Sequence, residues 1–193
     1  MQKPNFSSSH ILIFFLLFIF LCLPMNPSHG NNILFPGMKL PEFDLASPPS
    51  QEAKQYLGAT NTKSFSLSHI PSKYILIELL SAFCQYCQKQ APTVNRIYQY
   101  VQEDPELAQN IKILGIIVLG NQKAGDAFKT AFRVKFPLIL DPKMEIFKKL
   151  QSPSIPFLLF VNQNGDILLS HPGYLKDADE FYGMMKKIAK NQK

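Results

Sequence analysis

The chain has 193 residues, a length that holds one ordinary domain with a full core. Hydrophobic residues make up 46% and charged residues 18%, a balance that excludes an intrinsically disordered chain. The net charge of +6 comes with lysines scattered along the sequence rather than massed in one block, so no nucleic-acid footprint is expected.

Residues 1–30 read as a secretory signal peptide. Lys3 and the amino terminus give a weakly positive start, and Ile11 to Leu23 is an unbroken apolar run. Pro24, Pro27 and the small-x-small triplet Ser28-His29-Gly30 follow. That is the order of n-region, apolar core, breaker and cleavage site. The run falls short of the roughly 18 residues that span a bilayer comfortably. Cleavage is therefore the expectation, with an uncleaved N-terminal anchor as the alternative. A lipoprotein reading through Cys22 fits less well, because Leu21 is bulky where such a signal wants a small residue. Cleavage after Gly30 would remove Cys22 and leave residues 31–193 as an exported, periplasmic or otherwise extracytoplasmic domain holding Cys84 and Cys87. One close pair closes almost no loop, so it is not a stapling framework. A four-cysteine zinc site is excluded by count.

Residues 31 to about 73 are rich in Pro, Ser, Asn and Lys. Within them, Gly37 to Leu45 and Lys63 to Ser68 carry short alternating segments that could pair as a hairpin, with residues 46–62 as an irregular connection. Tyr74 to Leu80 is a buried-strand candidate. From Cys84 to about Glu103, Ala91, Val94, Ile97, Tyr98 and Val101 recur at helical spacing, with a kink expected at Pro92. Ile111 to Leu119 is a second buried strand. Gln122 to Val134 reads as a helix with Ala127, Phe128, Ala131 and Phe132 on one side, and Phe136 to Leu140 as a short strand. Asp141-Pro142 is expected to open a helix, with Pro at its first position, running to about Leu150. Phe128, Phe132 and Phe147 read as core. Ile155 to Val161 is a third long apolar strand, Asn162 to Gly165 a turn, and Asp166 to Ser170 its hairpin partner. Asp177 caps a final helix with Phe181, Met184, Met185 and Ile188 on its buried stripe. Strands alternating with helices imply a parallel component covered on both faces, and the late hairpin adds an antiparallel edge.

Three features carry chemistry. Cys84 and Cys87 stand three apart where a strand gives way to a helix. A helix N-terminus stabilises a thiolate, the nucleophile of disulfide exchange, and a second cysteine can resolve the mixed disulfide. The same spacing also serves structural disulfides and half of a metal site. Glu78 lies inside the apolar strand, where burial should raise its pKa and let it accept a proton from Cys87. The bland reading has it facing out or paired with a lysine. Ile155-Pro156 opens a strand, where an X–Pro bond can be cis and mark a tight loop.

Together these residues resemble the thioredoxin superfamily. The likeness runs through Ile77-Glu78, Ser81-Ala82-Phe83-Cys84, Cys87 and Ala91-Pro92, and resumes at Ser154 to Phe160 and at Gly173. It is greatest to the TlpA/ResA-type exported redoxins, through Gly37, Leu40-Pro41-Glu42-Phe43-Asp44-Leu45 and the segment containing Phe136 to Asp141. The resemblance implies a thioredoxin-like three-layer α/β/α sandwich with a mixed sheet, an N-terminal β-hairpin extension and an inserted β-α segment before the cis-proline strand. It implies a thiol–disulfide oxidoreductase, of reductase type with a disulfide oxidase or isomerase as the alternative, in which Cys84 is the nucleophile, Cys87 resolves and Glu78 moves the proton. Ile155 and Pro156 would hold the partner chain, with Phe83, Gln85 and Tyr86 beside them. Phe83 stands where the family usually has Trp, and Gln85-Tyr86 lacks the usual proline of the intervening pair.

The redox-active Cys84–Cys87 pair would need no metal or organic cofactor. The expected partners are protein thiols or disulfides and a membrane or soluble redox donor or acceptor, with the protein itself a monomer. A peroxiredoxin reading is weaker, because Thr93 follows the cysteines instead of preceding them. A Sco-type copper-binding assembly factor is the alternative of a different class, but it uses a spacing one residue longer and a distant histidine. His171 and His69 read as ordinary residues.

Overall fold

The computed structural model describes residues 34–151 and 154–191; the signal-peptide expectation and Cys22 fall outside them. A mixed sheet of five strands forms the middle layer. Its strands are β3 (Tyr74–Leu80), β4 (Ile111–Val118), β5 (Leu138–Asp141), β6 (Phe157–Asn162) and β7 (Ile167–Pro172), in the order β5-β4-β3-β6-β7. Strands β3, β4 and β5 run parallel, whereas β6 is antiparallel to β3 and to β7. Every residue of β3 is buried, as suits a central strand flanked on both faces.

Side-chain alternation sorts the β3 residues into two cores. Tyr74, Leu76 and Leu80 join a cluster with Cys87, Ala91, Val94, Ile97 and Val101 of helix α2 (Gln85–Glu103). That cluster also takes Leu107 of α3 (Pro105–Asn110), Phe128 of α4 (Gln122–Ala131), and Phe181 and Met185 of α6 (Ala178–Asn191). Ile75, Ile77 and Leu79 face the opposite cluster. There they meet Leu45 of β1 (Asp44–Ala46), Leu57 of α1 (Gln51–Leu57), Phe65 of β2 (Ser64–Ser66) and Ile146 of α5 (Glu145–Lys149). The result is the thioredoxin-like three-layer arrangement, with β1 and β2 pairing antiparallel as the N-terminal extension. The segment around Gly37 to Leu40 binds Ile167 and Gly165 through its backbone and so covers the β7 edge.

Several elements depart from the sequence expectations. Residues 46–62 are not an irregular connection. They contain α1, capped by Ser50, whose hydroxyl accepts the Ala53 N–H, and closed by Gly58 at φ 70°. A short helix α3 adds to the expected elements; it begins at Pro105 behind the cap of Asp104, whose side chain accepts the Leu107 N–H. Asp141 does not open a helix with Pro142 in its first turn. It ends β5, and its buried carboxylate accepts the N–H groups of Glu145 and Phe147 at 2.8 and 2.9 Å, so α5 starts at Glu145. Gly125 and Phe128 form the buried side of α4, while Ala127 and Ala131 are exposed. Met184 is exposed because Phe181 and Met185 already fill the inward stripe of α6. Phe132 and Phe147 are only partly buried, packed against the two cores. The hydroxyl of Tyr56 accepts the Ile113 N–H at 3.0 Å, at a point on β4 that lies outside the pairing with β5.

Candidate active site

The parallel strand β3 ends at Leu80, and Ser81 to Phe83 carry the chain to α2. Cys84 is the N-cap of that helix, in extended backbone geometry. Its Sγ accepts the Cys87 N–H at 3.4 Å and lies 3.7 Å from the Ile155 carbonyl oxygen, to which its thiol donates. A sulfur at the N-cap sits at the positive end of the helix, where negative charge is favoured. The junction is held by the Cys84 N–H on the Ser81 carbonyl at 3.1 Å and by the Gln88 side chain on the Ala82 carbonyl at 2.9 Å.

The two thiols differ in access. Cys84 is half-buried, whereas Cys87, one turn into α2, is 0% exposed. Burial pushes the Cys87 thiol well above its ordinary pKa; its hydrogen bond with Cys84 and the nearby charge of Glu78 act in the same direction, and a backbone hydrogen bond from Ser81 opposes them. A thiol held this tightly protonated needs a proton acceptor before it can attack.

Glu78 is the polar break in the β3 row that otherwise carries Tyr74, Leu76 and Leu80. It is 2% exposed, and loss of solvation raises its pKa from 4.5 to about 7; a hydrogen bond from Gln90 pulls the other way. The strands on either side place Gly115 and Leu158 opposite it, so neither neighbour offers a countercharge.

The Ile155–Pro156 peptide bond is cis. Pro156 is buried, and its carbonyl accepts the Gly173 N–H at 2.9 Å, which fixes the start of β6 against the segment after β7. Antiparallel β6 begins at the end of the sheet where parallel β3 finishes, so Ile155 comes to lie beside Cys84. Around this sulfur, Phe83 is 73% and Tyr86 59% exposed, and Gln85 is exposed on the first turn of α2. Tyr86 packs against the ring of Tyr174 with 6.4 Å between centroids, and the Lys89 ammonium lies 5.6 Å from the Tyr86 ring centre. His171 is elsewhere, on β7, with its ring edge against Phe181.

Gln90 is the residue that sequence reasoning missed. It is fully buried, donates from Nε2 to Glu78 Oε1 at 2.8 Å, and accepts the Leu175 N–H at 2.7 Å. Its signal was its position: it follows Cys87 by three residues and so falls on the inward stripe with Ala91 and Val94.

A thioredoxin-like sandwich with two thiols at a strand–helix junction, opposite a cis-proline, is the framework of a redoxin. The chain belongs to the AhpC/TSA family, whose family model matches residues 36–169. It is 23% identical over 187 residues to the thiol-disulfide oxidoreductase ResA of Oceanobacillus iheyensis, a match covering 97% of this chain and 90% of that one. It is 22% identical over 109 residues to ResA of Bacillus subtilis, covering 56% of this chain and 58% of the relative, so this match spans little more than half of that relative's length. The thioredoxin domain of a thiol-disulfide oxidoreductase from Bacteroides vulgatus has the same fold, with a TM-score of 0.61 at 17% identity over 81% of this chain and 99% of that one.

Proposed function

We propose that this protein is an extracytoplasmic thiol–disulfide oxidoreductase that reduces cystines in other proteins. The observation that carries the reading is the unequal pair: a reachable Cys84 at a helix N-cap, and a buried Cys87 that shares its surroundings with an acid of pKa about 7. The order of residues 1–30 supports export.

The Cys84 thiolate attacks one sulfur of the partner's cystine. The cystine S–S bond breaks, the departing partner sulfur takes up a proton, and a Cys84–partner disulfide remains. Glu78, ionised, takes the proton of Cys87, and the Cys87 thiolate attacks Cys84 Sγ. The mixed disulfide breaks, the Cys84–Cys87 disulfide forms, and the second partner thiol leaves. The partner has gained two electrons and the protein has lost two, which an external dithiol donor returns. Ile155 and Pro156 line the approach to Cys84, and Phe83, Gln85 and Tyr86 offer an exposed platform for a protein partner.

The test is Cys87→Ala. It should accumulate a mixed disulfide through Cys84 that Cys84→Ala does not form, and Glu78→Gln should slow the release step. Failure to trap any cystine substrate, together with stoichiometric Cu(I) binding by the reduced protein, would overturn the enzyme reading. The Cys84–Cys87 potential tests direction: a value near about −270 mV supports reduction, and one near about −120 mV reverses it.

A further inference from the structure

We propose that Gln90 is the positioning residue that decides which oxygen of Glu78 carries the proton. The proposal rests on the reading of Glu78 as the proton carrier for Cys87.

A backbone N–H can only donate. The Leu175 N–H points at one end of the Gln90 amide, 2.7 Å away, so that end is the carbonyl oxygen. The NH2 end then faces Glu78 and donates to Oε1 at 2.8 Å. An amide NH2 has no lone pair to receive a carboxyl proton, and the carbonyl oxygen of a carboxylic acid accepts more strongly than its hydroxyl, so Oε1 takes the carbonyl role and a protonated Glu78 carries its hydrogen on Oε2. The orientation is locked, because Gln90 is wholly buried and turning the amide over would set its NH2 against the Leu175 N–H and its oxygen against a carboxylate. Leu175 lies two residues beyond Gly173, whose N–H holds the Pro156 carbonyl at 2.9 Å. The segment that flanks the cis-proline therefore also sets the amide that sets the acid.

The same contact favours the ionised form of Glu78 and partly offsets the effect of burial. β4 presents Gly115 opposite it, β6 presents Leu158, and α2 presents Gln90 and the thiol of Cys87, which is the titratable neighbour.

The experiment is a carbon-13 NMR titration of the Glu78 carboxyl in the reduced full-length protein. The parent midpoint is expected at about 7. Gln90→Leu removes the donor and should raise that midpoint by about one pH unit or more. Gln90→Glu keeps an acceptor for Leu175 and nearly the same volume, but sets a second carboxyl against Glu78. The pair should then titrate in two separated steps, the upper one above the parent midpoint. A Glu78 midpoint that stays near 7 in either folded variant overturns the proposal, because a merely structural amide would alter stability and leave the titration in place. The pH profile of mixed-disulfide release, measured alongside, separates the two ideas. If Glu78→Gln leaves that rate unchanged, the proton-carrier reading falls, while the carboxyl titration still decides the role of Gln90.

Discussion

Glu78→Gln replaces a buried acid with a neutral side chain of the same length that can still accept the Gln90 hydrogen bond. Glu78 titrates near 4.5 in an unfolded chain and at about 7 in the folded one, because burial penalises its charge. The folded protein therefore binds this proton more tightly than the unfolded chain does. The stability it supplies is fully present below about pH 4.5 and is lost as pH rises through about 7. A difference of roughly 2.5 pH units corresponds to about 3 kcal/mol. The Gln variant has no such proton to lose. Its unfolding free energy minus that of the parent should be constant below about pH 4.5, climb by nearly 1.4 kcal/mol per pH unit, and level off about 3 kcal/mol higher above pH 7. Urea denaturation of both reduced proteins from about pH 4 to 8, at one ionic strength, measures this difference with the other titrating groups subtracted. A difference that does not vary with pH would refute the account of Glu78 as an acid held neutral by burial.

Two further outcomes are expected elsewhere in the molecule. Asp141→Ala leaves the N–H groups of Glu145 and Phe147 without their acceptor and should cost about 2–3 kcal/mol in denaturant unfolding, with Asn at the same position losing less. Phe83→Ala and Tyr86→Ala alter exposed rings and should leave stability within about 0.5 kcal/mol. They should nevertheless lower kcat/KM toward a protein cystine several-fold and spare a small disulfide; an equal loss on both substrates would remove the rings from partner recognition.

The elements that the sequence made legible are those whose pattern is decided by burial alone. The apolar runs of β3, β4 and β6 have few alternatives in a chain of this size, and the loop-bounded turn at Asn162 to Gly165 joins β6 to β7 as expected. The helices with mixed signals were harder to place. In α1, Ser50 and Gly58 are good caps, but the neighbouring prolines made the stretch read as loop. The start of α5 moved because a strand-ending aspartate reaches forward to cap it, a contact that spacing alone does not reveal. Within the site, the paired thiols and the intrastrand acid stood out as departures from their surroundings. Gln90 did not, because its place on the inward stripe after Cys87 marks burial but names no partner until β3 is known to aim its acid at that same face.

The inaccessibility of Cys87 imposes an order on events. A folded partner cannot touch this sulfur, so in the proposed exchange a covalent encounter begins at Cys84, the partly exposed thiol beside it. The attack of Cys87 would then be intramolecular, with the high effective concentration that a fixed neighbour enjoys. The proposed exchange thus carries a built-in limit on how long the protein stays attached to a client: a partner that docks well and one that docks poorly would be released by the same internal sulfur.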